Sequence, residues 1–185
     1  MRHMPEMKSG VRSATLAAAL LLGAAFGFAG EAVGQSINSA ADPYVRCKGG
    51  PQDRLPTAPF LIETQRGRQM LTVELAREHE EKACGMMFRQ SMGATEGMLF
   101  DMTPGGQISM WMRNTVLPLD MVFLDRRGRV VDVIEGAVPF SETVLTARAP
   151  AVTVLEVLAG TAKRLGIRVG DRATLTFTPS DAKPD

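Results

Sequence analysis

A chain of 185 residues is long enough for one ordinary domain and too short for two comfortable ones. With 45% hydrophobic and 22% charged residues and no long charged run, it is a folding composition rather than a disordered one. Its 21 Lys and Arg against 20 Asp and Glu leave no charge excess, which excludes the electrostatic footprint of a nucleic-acid binder or a polybasic membrane-surface protein.

The first 34 residues stand apart. "MRHMPEMKSGVRS" carries Arg2, Lys8 and Arg12, and "ATLAAALLLGAAFGFAG" follows as an unbroken apolar run of 17 residues. A basic start, an apolar stretch and small residues at the exit predict a secretory signal peptide over 1–34, cut after Ala29 or Gly34. The run is Ala- and Gly-rich and weakly hydrophobic for a retained anchor. Removing its three basic and two acidic residues from 21 and 20 leaves 18 of each, so the mature chain is neutral. The expected location is secreted or periplasmic, with no membrane attachment after cleavage.

Residues 35–58 read as a flexible polar tail broken by Pro43, Pro51 and Pro56. From 59 to 179 the pattern is that of a single β domain, and 180–185 form a disordered tail. "FLIET" (60–64) and "QMLTVELA" (69–76) flank the turn "QRGR" and predict a hairpin. "REHEEKAC" (77–84) is helix-forming and stops at Gly85. Strands follow at 97–102, 107–113, 119–125 and 129–135, the last two joined by the turn Arg126-Arg127-Gly128. A strand at 152–158, a short helix at 159–166 closed by Gly166, and a strand at 172–178 complete the domain. About eight strands and two short helices, linked as hairpins rather than βαβ units, predict a mainly β fold, a compact sandwich or squat barrel.

Cys47 and Cys84 both lie in the exported part, where disulfides persist, and are a candidate bridge tying the tail to the domain. Two unrelated thiols are the alternative. Cys47 lies too far past the apolar run to carry a lipid.

Several chemistries lack their residues. One His, His79, remains outside the signal peptide, in the polar stretch "REHEEK", which leaves little for a Ser-His-Asp triad. There is no Cys-x-x-Cys pair, no His cluster and no phosphate-binding Gly loop, and no cofactor is expected. What remains is charge inside apolar runs. Glu156 shares a strand face with Val152, Val154 and Leu158, and Asp120 shares one with Val122 and Leu124. A carboxylate buried there needs a partner or a proton. Arg89, in "GMMFRQ", is the candidate cation, either in a structural ion pair or as an anion clamp beside an acid or base.

Eight of the twelve Met lie between residues 86 and 121. In a 107–113 strand, Met110 and Met112 share a face and Trp111 takes the other. Thioethers are soft ligands that suit Cu(I), although Met most often fills gaps in a small core. In "RNTVLPLD", Asn114 and Thr115 follow the strand and precede Pro118, and binding residues commonly lie on such loops.

"CGMMFRQSM", "GMLFDM", "MWMRNTVLPLDMVFLD" and "VLEVLAGTAKRLGIRVGD" together resemble the domain of unknown function 192 family, over roughly residues 60–178. The resemblance implies a compact, mostly β single domain, often exported, with no established activity. It carries onto Gly85, Met87, Phe88 and Arg89; Gly97, Met98, Leu99 and Phe100; Trp111, Met112, Asn114, Thr115, Pro118, Leu119 and Asp120; and Leu155, Glu156 and Gly160. Cys84 stands where the family usually has an Arg, and Met110 where it has an aromatic.

The expectation is therefore an exported binding or accessory module whose small polar pocket is built from Arg89, Trp111, Asn114, Thr115, Asp120 and Glu156. Its partner would be a small polar ligand or an envelope protein. Two alternatives stand beside it: an acid–base enzyme, hydrolase-like, acting on an envelope component, and a Cu(I) module built on Met110 and Met112.

Overall fold

The computed structural model describes Cys47 and residues 49–175. The expected signal peptide, most of the expected 35–58 tail, the end of the expected last strand and the expected 180–185 tail lie outside the described residues. Among the described residues no helix is long and apolar enough to cross a membrane.

Chain order is β1 (Thr57–Thr64), β2 (Gly67–Ala76), α1 (His79–Cys84), β3 (Glu96–Gly106), β4 (Ser109–Met110), β5 (Leu119–Leu124), β6 (Val130–Ala137), β7 (Leu145–Thr146), β8 (Ala151–Leu158), α2 (Thr161–Leu165) and β9 (Arg172–Leu175). Seven strands form one sheet in the order β6-β5-β8-β3-β2-β1-β9, and β4 pairs with β7 in a separate two-stranded ribbon. The fold is mainly β, as the sequence predicts, but the sheet is not closed into a barrel. Among the described residues its edge strands meet through a single bridge, Arg129 to Arg172, with no ladder between them, and no two sheets of comparable size face each other.

The β1–β2 hairpin turns on Gln65-Arg66 with Thr64 opposite Gly67. The next connection departs from the expected hairpins: β2 and β3 pair in parallel, Thr72 opposite Glu96 and Ala76 opposite Phe100. A parallel neighbour requires a crossover, and α1 with the loop after it supplies it. The six-residue helix begins on a local device, the Glu81 carboxylate accepting the N–H groups of Arg77 and Glu78 at 2.8 Å each.

Side chains alternate across the strands, so the sheet has two apolar faces. One gathers Val73, Leu75, Leu99, Val122, Leu155 and Val157 under α2, whose Ala162 and Leu165 are buried there. The other gathers Ala76, Met98, Phe100, Met121, Phe123 and Val154, and the crossover lays Met86 on it. Each large side chain so buried stabilises the fold by roughly 1.5–3 kcal/mol. Leu155 and Val157 on the first face put Val154 and Glu156 on the second, the alternation read from the sequence.

The 107–113 strand is the main local departure. Only Ser109 and Met110 pair, with Thr146 and Leu145. The chain then folds back on itself: the Thr115 N–H donates to the Met112 carbonyl at 3.0 Å, and Asn114 takes φ 56°. Asn tolerates that left-handed conformation better than most residues, which fits it to a turn and not to a strand.

Cys47 and Cys84 are joined by a disulfide, with Cα atoms 5.5 Å apart across a separation of 37 residues. Gln52 braces the same place, its Nε2 donating to the carbonyls of Glu81 at 3.1 Å and Gly85 at 2.9 Å.

Candidate functional site

The side chains that the sequence places in one pocket do not all meet. Arg89 is buried, but its partner is Glu74 of β2: Nη1 donates to Oε1 at 3.1 Å and Nη2 to Oε2 at 2.9 Å. Glu74 also accepts from Arg54 Nη1 at 2.7 Å and from the Leu55 N–H at 2.9 Å, so its carboxylate is fully occupied. Arg89 is thus a structural ion pair, and neither Asp120 nor Glu156 is its counter-charge.

Asp120 is wholly buried on the face covered by α2 and serves the backbone. Its two oxygens accept the Gly136 and Ala162 N–H groups at 2.9 Å each. The second bond meets an unpaired amide at the start of α2 and orders that helix against the sheet. Asp120 pairs with Val157 and Met121 with Glu156, one residue out of step, so Asp120 and Glu156 point to opposite faces.

Glu156 is different. It is 4% exposed and forms no hydrogen bond or ion pair among the described residues. Its strand neighbours are Met98 and Met121. Burial alone, with nothing to offset it, pushes its carboxyl up to about 8. At neutral pH it is therefore a carboxylic acid, with one O–H to donate and a carbonyl oxygen to accept. Among the described residues the only buried side-chain N or O atom with no partner is Nε of Arg89. The Glu156 oxygens therefore keep some exposure, and a cleft of about 300 Å³ supplies it.

That cleft opens between α1, the turn after it, β3 and the 109–115 segment. Its walls include Met86, Met87, Phe100, Met102, Met110 and Trp111, with His79 and Lys82 on the helix side. Gly85, also in the wall, takes φ 46°, and a Cβ there would stand 3.0 Å from the Phe100 ring. Trp111 is 38% exposed, and the Arg113 guanidinium lies over its ring 5.6 Å from the centroid. Thr115 lines the cleft and is buried. Asn114 stands behind the wall, its Nδ2 donating to the sulfur of Met87 at 3.9 Å. Of the expected pocket, then, Trp111, Thr115 and Glu156 line one cleft, Asn114 supports it, and Arg89 and Asp120 lie elsewhere. Of the two Met considered for Cu(I), Met110 lines the cleft and Met112 is fully buried in the core.

The 112–115 turn holds the surrounding loops. The Asn114 carbonyl accepts the Phe88 N–H at 2.8 Å, and the Thr115 carbonyl accepts the Phe140 N–H at 3.1 Å. Phe88 and Phe140 sit at φ 62° and 60°, a conformation costing an ordinary residue on the order of 1 kcal/mol. The Met112 N–H adds a bond to the Ser141 carbonyl at 2.9 Å.

Sequence reasoning missed Glu74 and Asp132. Both are carboxylates inside strand patterns, the same signal that singled out Glu156. Arg148 bonds Asp132 through its guanidinium and its N–H and holds that carboxyl below the usual range. A larger cleft of about 360 Å³ opens beside β3 and the β5–β6 turn, but its Asp101, Asp125 and Arg126 are already bonded.

A solved structure from Sinorhizobium meliloti 1021, described as a candidate transcription regulator, is 40% identical with a TM-score of 0.64. The match covers 67% of this chain and 97% of that one. A protein of unknown function from Novosphingobium aromaticivorans DSM 12444 is 42% identical with a TM-score of 0.63, over 65% of this chain and 86% of that one. No curated protein matches the chain. The sequence model of DUF192, described as Uncharacterized ACR, matches residues 61–175. The chain belongs to the DUF192 family.

Proposed function

We propose that this protein is an exported binding module that takes a small ligand into the cleft above Glu156. One observation carries the reading. A carboxyl buried without a partner costs stability, and this one opens into a cleft that a ligand could complete. Trp111 at the rim supplies a flat, half-exposed contact surface.

The alternatives draw less support. An acid–base enzyme would use Asp120 or Glu156 as its acid or base; Asp120 is buried and already binds two amides, and among the described residues no second carboxylate lines the cleft beside Glu156. A copper module on Met110 and Met112 would need both sulfurs at one place, and only Met110 reaches the cleft. The regulator description of the S. meliloti chain would bring DNA to this one, but a net charge of +1 offers no excess for phosphates.

Export rests on the basic start and apolar run of residues 1–34. N-terminal sequencing of the protein from the exported fraction is expected to read from about residue 30 or 35. Native mass spectrometry of that material tests binding. A non-covalent adduct that disappears in Glu156→Leu supports the reading, and an adduct-free protein whose stability no small-molecule library raises removes it.

A further inference from the structure

Resting on the reading of this cleft as a ligand site, we infer that its ligand is a neutral, planar heteroaromatic of one or two rings. An acceptor atom of the ring system takes a hydrogen bond from Glu156, and the ring faces lie against methionine sulfur and indole.

The composition of the walls carries the first part. Among the described residues, four Met, Phe100 and Trp111 line the cleft, and no Leu, Ile or Val does. The larger cleft beside β3 is walled instead by Leu75, Leu99, Leu124, Val152 and Leu175 around a single Phe. Thioethers and aromatic rings are the polarizable side chains, and sulfur makes favourable contacts with aromatic rings beyond simple area burial. Met also adjusts its shape, so a flat ring can slide between such walls. The Met87 sulfur is held by Asn114, which fixes one of these contacts in advance. A space of about 300 Å³ is at the small end of ligand sites and suits one or two fused rings.

The floor carries the second part. An uncharged acid buried among Met98 and Met121 offers a donor and has nothing to give it to. A ligand anion would face a group that can only become negative. A ligand cation would have to ionise Glu156 in an apolar setting and would share the cleft with the Lys82 ammonium. A neutral acceptor asks neither. Among the described residues the charged or titratable side chains that line the cleft besides Glu156 are His79 and Lys82, both on α1; from the 111–115 segment Arg113 lies over the Trp111 ring at the rim, and β3 and β4 contribute none.

Isoquinoline is the probe, titrated into the full exported domain and followed by Trp111 fluorescence, from about pH 7 to about pH 9.5, where the probe is uncharged. Ionising Glu156 removes the donor, so affinity is expected to fall about tenfold per unit once the pH passes about 8. Glu156→Gln keeps a donor without the titration. It is expected to bind within about threefold of wild type at pH 7 and with a flat pH profile. Glu156→Leu is expected to bind at least about tenfold more weakly, and naphthalene to bind wild type about tenfold more weakly than isoquinoline does. His79→Gln should keep the wild-type profile. Affinity that rises with pH, as an ammonium or Cu(I) replacing the proton would give, overturns the inference. So does an absence of saturable isoquinoline binding, or equal binding by a folded Glu156→Leu. If isoquinoline fails while a native adduct still depends on Glu156, this inference falls and the binding reading stands.

Discussion

Glu74 and Glu156 lie in one row across the sheet, on one face, with Met98 between them, because Glu74 pairs with Met98 and Met98 with Glu156. Two strand spacings separate them, about 10 Å. Arg89 and Arg54 serve the first carboxylate, and among the described residues no cation serves the second. One face of one sheet therefore holds two buried acids in different chemical states, a paired carboxylate and an unpaired carboxylic acid.

The paired acid predicts a large structural effect. Arg89→Ala strips the bidentate partner from a buried Glu74 and should cost about 3–5 kcal/mol in urea unfolding. Replacing both residues with Met or Leu should recover most of that loss, because the uncompensated charge goes with its partner. Cleft binding should survive in whatever fraction of Arg89→Ala remains folded.

The unpaired acid predicts a pH slope of uncommon sign. The folded state holds the Glu156 proton up to about pH 8, whereas the unfolded chain releases it near 4.5. Between those values the native state binds more protons than the unfolded one, so this group makes stability fall as pH rises. Glu156→Gln lacks the slope. The gap in unfolding free energy between the variant and wild type should therefore widen by on the order of 1 kcal/mol per pH unit from about 5 to about 8. A constant gap would mean that Glu156 is charged in the folded protein.

Asp120 separates structure from binding. Asp120→Ala leaves the Gly136 and Ala162 amides without their acceptor and should destabilise the domain by roughly 2–3 kcal/mol. Because Asp120 points to the opposite face, ligand affinity in the cleft should not change. Thermal unfolding and a binding titration on one preparation measure both.

The disulfide closes a separation of 37 residues, and in the chain-entropy account such a loop contributes about 3–4 kcal/mol. Cys47→Ala with Cys84→Ala should lower stability by that order. Since Cys84 also stands in the cleft wall, the pair should weaken binding of the isoquinoline probe as well.

Much of this was legible in the strands. Strict alternation in 152–158 and 119–125 placed Glu156 and Asp120 on their faces correctly, and the turn between 64 and 67 follows from the "QRGR" signal. Placing both acids in one pocket failed because alternation within a strand does not determine register between strands. A one-residue offset sends the two to opposite faces. The parallel β2–β3 pair was hidden by the shortness of α1, a six-residue helix that read as an interruption between hairpins. Alternating Met110 and Met112 looked like a stripe, but the strand ends at Met110, where the backbone bonds of the following turn replace the ladder. Glu74 carries the same mark as Glu156, an acid in an apolar run. Only the contacts of Arg89 distinguish the two.

The carbonyls of Asn114 and Thr115 hold loops that are far apart in sequence, one after α1 and one after β6. The amides of Phe88 and Phe140 are consequently native reporters of opening on two sides of the same turn. In hydrogen–deuterium exchange they should lose protection together, since releasing the turn releases both acceptors. A ligand that closes the cleft should slow the two by a common factor, while amides in the middle of β1 keep their rates.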